Sequence, residues 1–259
     1  MNPPIDRSAA PGRGPDLVVL DGFHAWKHAN RFGAAIAEAY TDDRVGLERM
    51  VEGLAPDLAT AARAVRVVLP GELAGTCTAW GVARPHHTRM VAVAQRPVDR
   101  IHQVAVRTGR HGRPLVLVDQ PRSPGNLGAV VRVAAAADAA GVVVDGTLDI
   151  WQRDVVRGAA GLQFALPVGN LATWERGLLD GPVVILDPDG DDLQSVQIPG
   201  DSLLVVGAER AGVSGHWRER ADLRVALPMR SGVSSLNLAT SVSAMLYIMV
   251  MGRGVGAKS

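Results

Sequence analysis

Short apolar runs recur from residue 115 to the C-terminus, each followed by a loop and a helix-compatible segment. The runs hold almost no polar residue inside, which is typical of parallel strands covered by helices on both faces. They are LVLVD (115–119), VVVD (142–145), VVILD (183–187), LLVVG (203–207) and LRVAL (223–227). Crossover helices are predicted at 129–140, 153–160, 171–179 and 235–250. This half therefore predicts an α/β fold with a parallel sheet.

The first half of the chain is also α/β in pattern, but it is smaller and less regular. Residues 16–40 predict a strand, a turn at Asp21 and Gly22, and a helix; RAVRVVLP (63–70) and TRMVAVAQRP (88–97) predict two further strands. Between the halves, Gly, Pro and charged residues cluster without periodicity. We expect four segments: a flexible N-terminal lead (1–15), a first domain (16–100), a linker (101–113) and a second domain (114–259).

Length and composition fit this two-domain organisation. The 259 residues are 47% hydrophobic and 20% charged, as in soluble globular proteins. Lys and Arg number 27 against 26 Asp and Glu, so the net charge of +1 leaves the partner open. The lone Cys77 excludes an internal disulfide or a multi-cysteine zinc site and favours a reducing, cytoplasmic location.

No segment of the sequence predicts secretion or a membrane span. The N-terminus has no apolar region of the signal-peptide type. The longest apolar stretch, residues 236–251, contains four polar positions and is shorter than the roughly 20 residues that a bilayer crossing needs. We expect it to form a buried helix.

Polar and glycine residues follow three of the predicted strands, where open α/β sheets place their ligand sites. The first segment, DQPRSPGNLGAVVRVAAAADAAG (119–141), offers Asn126 as a helix cap, with Arg132 six residues later. The second, LLVVGAERAGVS (203–214), has Gly207, which lets a ligand approach the backbone, and then Glu209. It matches neither the dinucleotide-binding nor the P-loop pattern, which disfavours a Rossmann-type oxidoreductase.

The third segment, LPMRSGVSSLNLATSVSAML (227–246), joins a strand to the last predicted helix through a Gly/Ser-rich loop. We expect Ser235 to cap that helix and Asn237 to lie in its first turn. Any one of these polar residues taken alone would more often stabilise a loop or a helix end than carry chemistry.

In order and spacing, the three segments closely resemble the three motifs of the SpoU (TrmH-like) branch of the SPOUT RNA methyltransferases. The resemblance covers residue 115 to the C-terminus and rests on Pro-x-Asn-x-Gly followed by Arg, Gly-x-Glu-x-x-Gly, and Pro-Met followed by Ser-Leu-Asn. It implies transfer of a methyl group from S-adenosylmethionine to a ribose 2′-hydroxyl in RNA, with S-adenosylhomocysteine as product and no metal. It also implies a trefoil knot in the C-terminal part of the sheet and a homodimer formed through the C-terminal domain, in which the partner subunit completes each active site.

The resemblance implies two groups of site residues. The catalytic group is Arg132, Asn126, Glu209, Ser235 and Asn237. The cofactor-binding group is Leu186, Asp187, Gly190, Val206, Gly207, Ala208, Leu227, Met229, Ser234 and Leu236. Arg132 would act either as a base with a depressed pKa or as a cationic clamp on the developing alkoxide. The clamp is physically easier, because the pKa of arginine lies far above neutrality and the neutral form is therefore costly.

The first half resembles, more loosely, the small α/β substrate-binding domain that often precedes this catalytic domain and that is similar to kink-turn-binding ribosomal proteins. The candidate RNA contacts are Arg63, Arg66, Arg84, His86, His87 and Arg89; for each of them the alternative is a solvated surface. Such a domain favours ribosomal over transfer RNA as the substrate. The alternative function is a catalytically inactive RNA-binding protein that keeps the fold.

Two departures from the family pattern are mild. Arg210 stands where many relatives have Gly, and residues 238–240 read Leu-Ala-Thr after the motif Asn. Neither change removes a predicted catalytic group. A metal at His86 and His87 is not expected, because no carboxylate or Cys lies at ligand spacing.

Overall fold

The structure is a computed structural model that describes residues 16–171, 178–208, 211–233 and 235–256, with side chains as far as 251. The chain divides into two compact units. Among the described residues, the first unit contains 16–98 together with Trp151–Ala165, and the second contains Asp99–Ile150 and those from Leu166 onward.

Strands and helices follow one another in chain order. Before residue 100 they are β1 (Leu17–Asp21), α1 (Phe23–Arg31), β2 (Ile36–Thr41), α2 (Arg44–Leu54), α3 (Ala59–Arg63), β3 (Arg66–Val67), α4 (Pro70–Ala79) and β4 (Met90–Gln95). After it they are α5 (His102–Ala105), β5 (Leu115–Asp119), α6 (Pro124–Ala136), β6 (Gly141–Asp145), α7 (Arg153–Gly158), β7 (Val168–Asn170), β8 (Val183–Asp192), β9 (Leu203–Gly207), α8 (Gly215–Glu219), β10 (Leu223–Ala226) and α9 (Leu238–Gly256).

The first unit is built on a four-stranded sheet in the order β1-β4-β2-β3. The almost fully buried β4 pairs antiparallel with both β1 and β2, whereas β3 is a short parallel partner of β2. The prediction of a single helix through residue 40 was wrong, because α1 ends at Arg31 and Ile36–Thr41 is a strand. Gly33, with φ of +75°, stops the helix, and β2 then buries its side chains against the sheet in partial alternation.

Residues 151–165 leave the second half of the sequence and belong to the first unit. There α7 packs against β1, and the Nδ1 atom of His28 lies 2.8 Å from the carbonyl oxygen of Ala160. The backbone of Gly161 lies so close to Ala25 that an added Cβ would stand 2.6 Å from the Ala25 oxygen. The second half of the chain is therefore interrupted, where the sequence predicted a continuous domain from 114 to 259.

The segment predicted as a linker, 101–113, is folded into the second unit. Its residues Ile101, Val104 and Ala105 lie in the hydrophobic core with Leu115. The fully buried Arg110 donates hydrogen bonds of 2.7–2.9 Å to the backbone oxygens of residues 104, 105, 180 and 201. Buried backbone oxygens need such partners, so this arginine connects the end of α5 with the chain at residues 180 and 201.

The second unit contains a six-stranded sheet in the order β10-β8-β9-β5-β6-β7, and every neighbouring pair is parallel. The predicted α/β fold with a parallel sheet is confirmed. The five predicted strands are present, and the short β7 was not predicted. In the register Asp119 pairs with Gly207 on one side and Asp145 on the other, so the carboxyl ends of β5, β9 and β6 lie side by side.

Both helices that carry polar motif residues begin differently from the prediction. Ser123, not Asn126, caps α6: its hydroxyl accepts the Asn126 N–H at 3.3 Å, and Pro124 occupies the first turn. The last helix, α9, begins at Leu238, and the Asn237 side chain accepts the Ala239 N–H at 3.0 Å. Asn237 thus occupies the capping position predicted for Ser235.

Two predicted features fall largely or wholly on residues that are not described, namely the helix at 171–179 and the lead at 1–15. Within the described part of the chain, no helix combines the length and apolarity of a membrane span.

Candidate functional site

A pocket opens at the carboxyl edge of the parallel sheet, between the ends of β8, β9 and β10 and the start of α9. Its volume is about 460 Å³. Most of the predicted cofactor residues line it: Leu186, Asp187, Val206, Gly207, Ala208, Leu227, Met229 and Leu236. Gly190 is not among the lining residues, and Ser234 lies outside the described residues. Convergence of these strand-end segments on one cavity is the arrangement that open α/β sheets provide for ligands.

One wall of the pocket is a bulge in β8. Ile185 pairs with Arg224 of β10, but the next residue of β10, Val225, pairs with Asp191. Residues 186–190 therefore leave the ladder, and residues 186–189 border the cavity. Gly190 closes the bulge, because its backbone lies so near Arg224 and Val225 that an added Cβ would stand 2.6 Å from their backbone atoms.

Asp187 is the most tightly held residue of this wall. It is only 3% exposed, and its Oδ1 accepts the Asp189 N–H at 3.0 Å. Its Oδ2 lies 2.9 Å from an Arg224 nitrogen and 3.3 Å from an Arg218 nitrogen. Burial on its own would raise the pKa of the Asp187 carboxyl, but the hydrogen bonds from Asp189 and Arg224 and the charge of Arg218 outweigh it and lower the pKa. The side chain is therefore a carboxylate at neutral pH.

The opposite wall follows β9 and depends on close approach of the backbone. The Gly212 N–H donates to the Ala208 oxygen at 3.0 Å, and Gly212 has a φ of +66°. A Cβ on Gly207 would collide with the backbone of Gly212 and Val213. Glycine is thus required at 207 because the chain's own backbone approaches it closely, whereas the prediction was close approach of a ligand. Glu209 lies outside the described residues.

Two buried carboxylates that the sequence analysis missed hold the helix beside the pocket. Asp119 accepts the Ser214 N–H at 2.6 Å, and Asp145 accepts the indole N–H of Trp217 at 2.9 Å. Both acids end neighbouring strands of the register, and α8 begins directly after Ser214. This helix brings Arg218 to the pocket lining. The available sequence signal was an Asp at the end of two apolar runs.

Three of the predicted catalytic residues are near one another or near the pocket. The Asn237 amide donates to the Asn126 side-chain oxygen at 3.1 Å, which joins the first turn of α6 to the start of α9. Ser235 lines the pocket. Arg132 is exposed on α6 and is not among the lining residues. Six residues of helix turn it about 120° away from Asn126.

The candidate RNA contacts of the first unit differ in how far they are already engaged. Arg89 donates two hydrogen bonds to Asp42, at 2.8 and 2.7 Å, and the Arg66 guanidinium lies 5.2 Å from the Tyr40 ring centre. His86 Nδ1 lies 2.9 Å from the Thr88 hydroxyl. The exposed candidates are Arg63, Arg66, Arg84, His87 and Arg89. Among the described residues, no group of three or more His, Cys, Asp or Glu is arranged to hold a metal.

The protein is an α/β protein with a parallel sheet and a pocket at the carboxyl edge of that sheet. Proteins of this class bind their ligands at the strand ends. Residues 113–247 match the model of the SpoU rRNA Methylase family. The chain belongs to that family, as the three motifs predicted.

Curated relatives and a solved structure agree with this membership. The chain is 36% identical over 176 residues to a 23S rRNA (uridine(2479)-2′-O)-methyltransferase of Streptomyces viridochromogenes, covering 63% of this chain and 60% of the relative. It is 32% identical to the 23S rRNA (guanosine-2′-O-)-methyltransferase RlmB of Ralstonia nicotianae, covering 92% and 96%. With three further curated relatives, as with the first, the match spans about three fifths of the relative's length.

The fold is similar to that of the SpoU methyltransferase AviRb from Streptomyces viridochromogenes, solved in complex with the cofactor AdoMet. The TM-score is 0.71 at 27% identity, covering 93% of this chain and 92% of that one.

Proposed function

We propose that the protein transfers a methyl group from S-adenosylmethionine to a ribose 2′-hydroxyl of structured RNA, with ribosomal RNA favoured over transfer RNA. The observation that carries the proposal is the pocket at the carboxyl edge of the sheet, beside which an Asn126–Asn237 hydrogen bond joins two of the three motifs. The curated relatives described above are named as 23S rRNA 2′-O-methyltransferases, which supports the reaction and the RNA class.

The pocket fits this cofactor in size and in lining. A volume of about 460 Å³ suits a ligand of nucleoside size. Leu227 and Leu236 offer apolar contact for an adenine ring, and the missing side chain at Gly207 lets the turn at Gly212, which lines the pocket, pack against the end of β9. Residues 186–189 form the remaining wall. When bound, the cofactor supplies an electrophilic methyl group on a sulfonium.

The motif residues would position the RNA nucleotide. Asn126 and Asn237 hold each other at the N-termini of α6 and α9, and helix N-termini favour anionic groups such as a phosphate. Ser235, beside the cofactor, would orient the ribose. We assign Glu209 the same orienting role, on the strength of the family pattern alone.

Arg132 would act as the cationic clamp that stabilises the developing alkoxide. It faces away from Asn126 on its helix and does not line the pocket of its own chain. This supports the proposal that the enzyme is a homodimer in which Arg132 serves the partner subunit's site. The exposed apolar side chains of Tyr247, Ile248 and Met251 on α9 supply a surface for that association.

We further propose that the first unit recruits RNA and that the C-terminal part of the sheet is threaded into a trefoil knot. Arg63, Arg84 and His87 are the exposed candidate contacts with no role in the hydrogen bonds described above. Exposed arginines can hold phosphate oxygens in bidentate geometry, which suits a docking surface for folded RNA.

The experiment that tests the function incubates the protein with radiolabelled cofactor and ribosomal RNA. Arg132→Ala is expected to abolish methyl transfer while cofactor binding, measured by calorimetry, survives. Arg113→Ala is the matched control, because Arg113 pairs with the exposed Asp138 on the same unit and is expected to leave transfer intact. Intact RNA binding with no methyl incorporation by the unaltered protein would instead favour the inactive RNA-binding protein.

A further inference from the structure

We propose that Asp187 is a positioning residue: its carboxylate fixes the β8 bulge as the wall of the cofactor pocket without itself binding the cofactor. The inference rests on the proposed function, since it takes the pocket to be the S-adenosylmethionine site. It assigns a role to an ion-pair network that the transfer chemistry does not use.

The bulge lies outside the ladder that joins β8 to β10. Residues 186–190 leave that ladder between Ile185 and Asp191, so their five backbone units lack ladder partners on β10, and four of the five residues line the cavity. One end of the bulge is held by the close contact of Gly190 with the β10 backbone. The other end contains Asp187, whose side chain points inward and is 3% exposed.

The Asp187 carboxylate connects three separate segments around the pocket. It accepts a hydrogen bond from the Asp189 N–H of its own bulge, one from Arg224 of β10, and an ion-pair contact from Arg218 of α8. These three donors take up three of the roughly four acceptor positions of the carboxylate, and the side chain is only 3% exposed. We therefore assign its effect on a ligand to the shape of the wall.

The position of α8 is set independently of Asp187. The Asp119 carboxylate holds the residue before the helix, and the Asp145 carboxylate holds its fully buried Trp217. The Arg218 Nε also donates to the Val213 oxygen at 2.9 Å. Arg218 thus reaches the pocket from a fixed support, and its ion pair with Asp187 sets the distance between α8 and the bulge.

Loss of the negative charge should release the wall while preserving the fold. In Asp187→Asn the amide oxygen can still accept the Asp189 N–H, but two guanidinium groups lose their counter-charge. We expect the loosened wall to weaken ligand binding by about ten-fold or more. Because the wall borders the whole ligand, the loss of affinity should be the same for ligands with and without the amino-acid end of the cofactor.

The test measures binding of two probes by calorimetry, S-adenosylhomocysteine and 5′-methylthioadenosine, which lacks the amino-acid end. Asp187→Asn is expected to weaken both probes by the same factor, about ten-fold or more. In turnover it should raise the KM for the cofactor while kcat at saturation stays within about two-fold of the unaltered enzyme. The matched control is Asp201→Asn, which removes a carboxylate paired with Arg107 that is not among the pocket-lining residues. It should leave both affinities unchanged.

A pair of variants at Arg224 keeps the proposal testable if Asp187→Asn folds poorly. Arg224→Lys retains the charge beside Asp187 and should bind both probes more tightly than Arg224→Gln. Unchanged binding of both probes by Asp187→Asn overturns the positioning role, and so does a loss confined to S-adenosylhomocysteine, since that would indicate direct contact with the amino-acid end. If the unaltered protein binds neither probe, the proposed function itself fails.

Discussion

Replacing Gly207 with alanine is the sharpest single perturbation of the pocket. The added methyl group would collide with the carbonyl carbon and oxygen of Gly212 and with the amide nitrogen of Val213. All three are backbone atoms, so no side-chain rotation relieves the collision. The turn that contains Gly212 must move by about an ångström, or β9 must shift in the centre of the sheet.

The magnitude follows from where the strain falls. Overpacking a well-packed region costs about 1–3 kcal/mol, and here the region that yields is a wall of the pocket. We therefore expect the free energy of unfolding to fall by about that amount. We expect affinity for S-adenosylhomocysteine to fall by about ten-fold or more, because each 1.4 kcal/mol lost from binding is a factor of ten.

Gly215 provides a matched control on the same segment of chain. An added Cβ there meets nothing within 4 Å, and the residue is the first of α8. Gly215→Ala should leave affinity unchanged and stabilise the protein slightly, since alanine restricts the unfolded chain. Calorimetry and urea unfolding give both quantities. Binding by Gly207→Ala as tight as that of the unaltered protein would refute the description of this wall.

Three further predictions concern stability and the catalytic region. The pKa values of His28 and His86 are lowered mainly by burial. The two histidines therefore stabilise the fold above about pH 6.5, and this stabilisation is lost as the pH falls through the lowered values. The melting temperature should drop between about pH 7.5 and 5.5, and the drop should be smaller in His28→Gln and in His86→Gln. Asn237→Ala removes a helix cap and the bond to Asn126, so it should cost about 1 kcal/mol of stability in urea unfolding and lower kcat. Arg110→Met leaves four carbonyl oxygens without their donor and should cost more than about 3 kcal/mol in the same assay.

Each of these has a result that would count against it. A flat melting temperature across that pH range would contradict the account of the two histidines. Normal kcat in Asn237→Ala would leave that residue a loop-stabilising role only. For Arg110, the comparison is Arg107→Ala, which removes an exposed ion pair and should cost far less stability; equal losses in the two variants would be inconsistent with the network.

The strands of the second unit could be predicted from the sequence because each is an uninterrupted apolar run. LVLVD (115–119) is buried at every position, so its pattern carries the whole signal. The motif spacing likewise predicted that strand ends would meet, and Gly207, Leu227 and Leu236 do line one pocket. Sequence reasoning succeeds where burial is uniform and the constraint is local.

The other features of the fold and the site depend on contacts between residues that are far apart in sequence, which a local pattern does not indicate. Residues 153–160 were correctly predicted as helical, but nothing in them indicates that they pack in the first unit against β1. Asp187 was predicted as a cofactor-binding residue, whereas its ion-pair partners Arg218 and Arg224, more than 30 residues away in sequence, were not predicted. The strand β2 was missed because a stretch rich in Ala also fits a helix.

The most direct test of the central claim maps the position of the transferred methyl group. Ribosomal RNA is incubated with the protein and S-adenosylmethionine and then hydrolysed with alkali, which needs a free 2′-hydroxyl to cleave the chain. We expect one new alkali-resistant position in RNA treated with the unaltered protein and none in RNA treated with Arg132→Ala. A labelled methyl group that leaves every position alkali-sensitive would place the modification on a base and contradict ribose 2′-O-methylation.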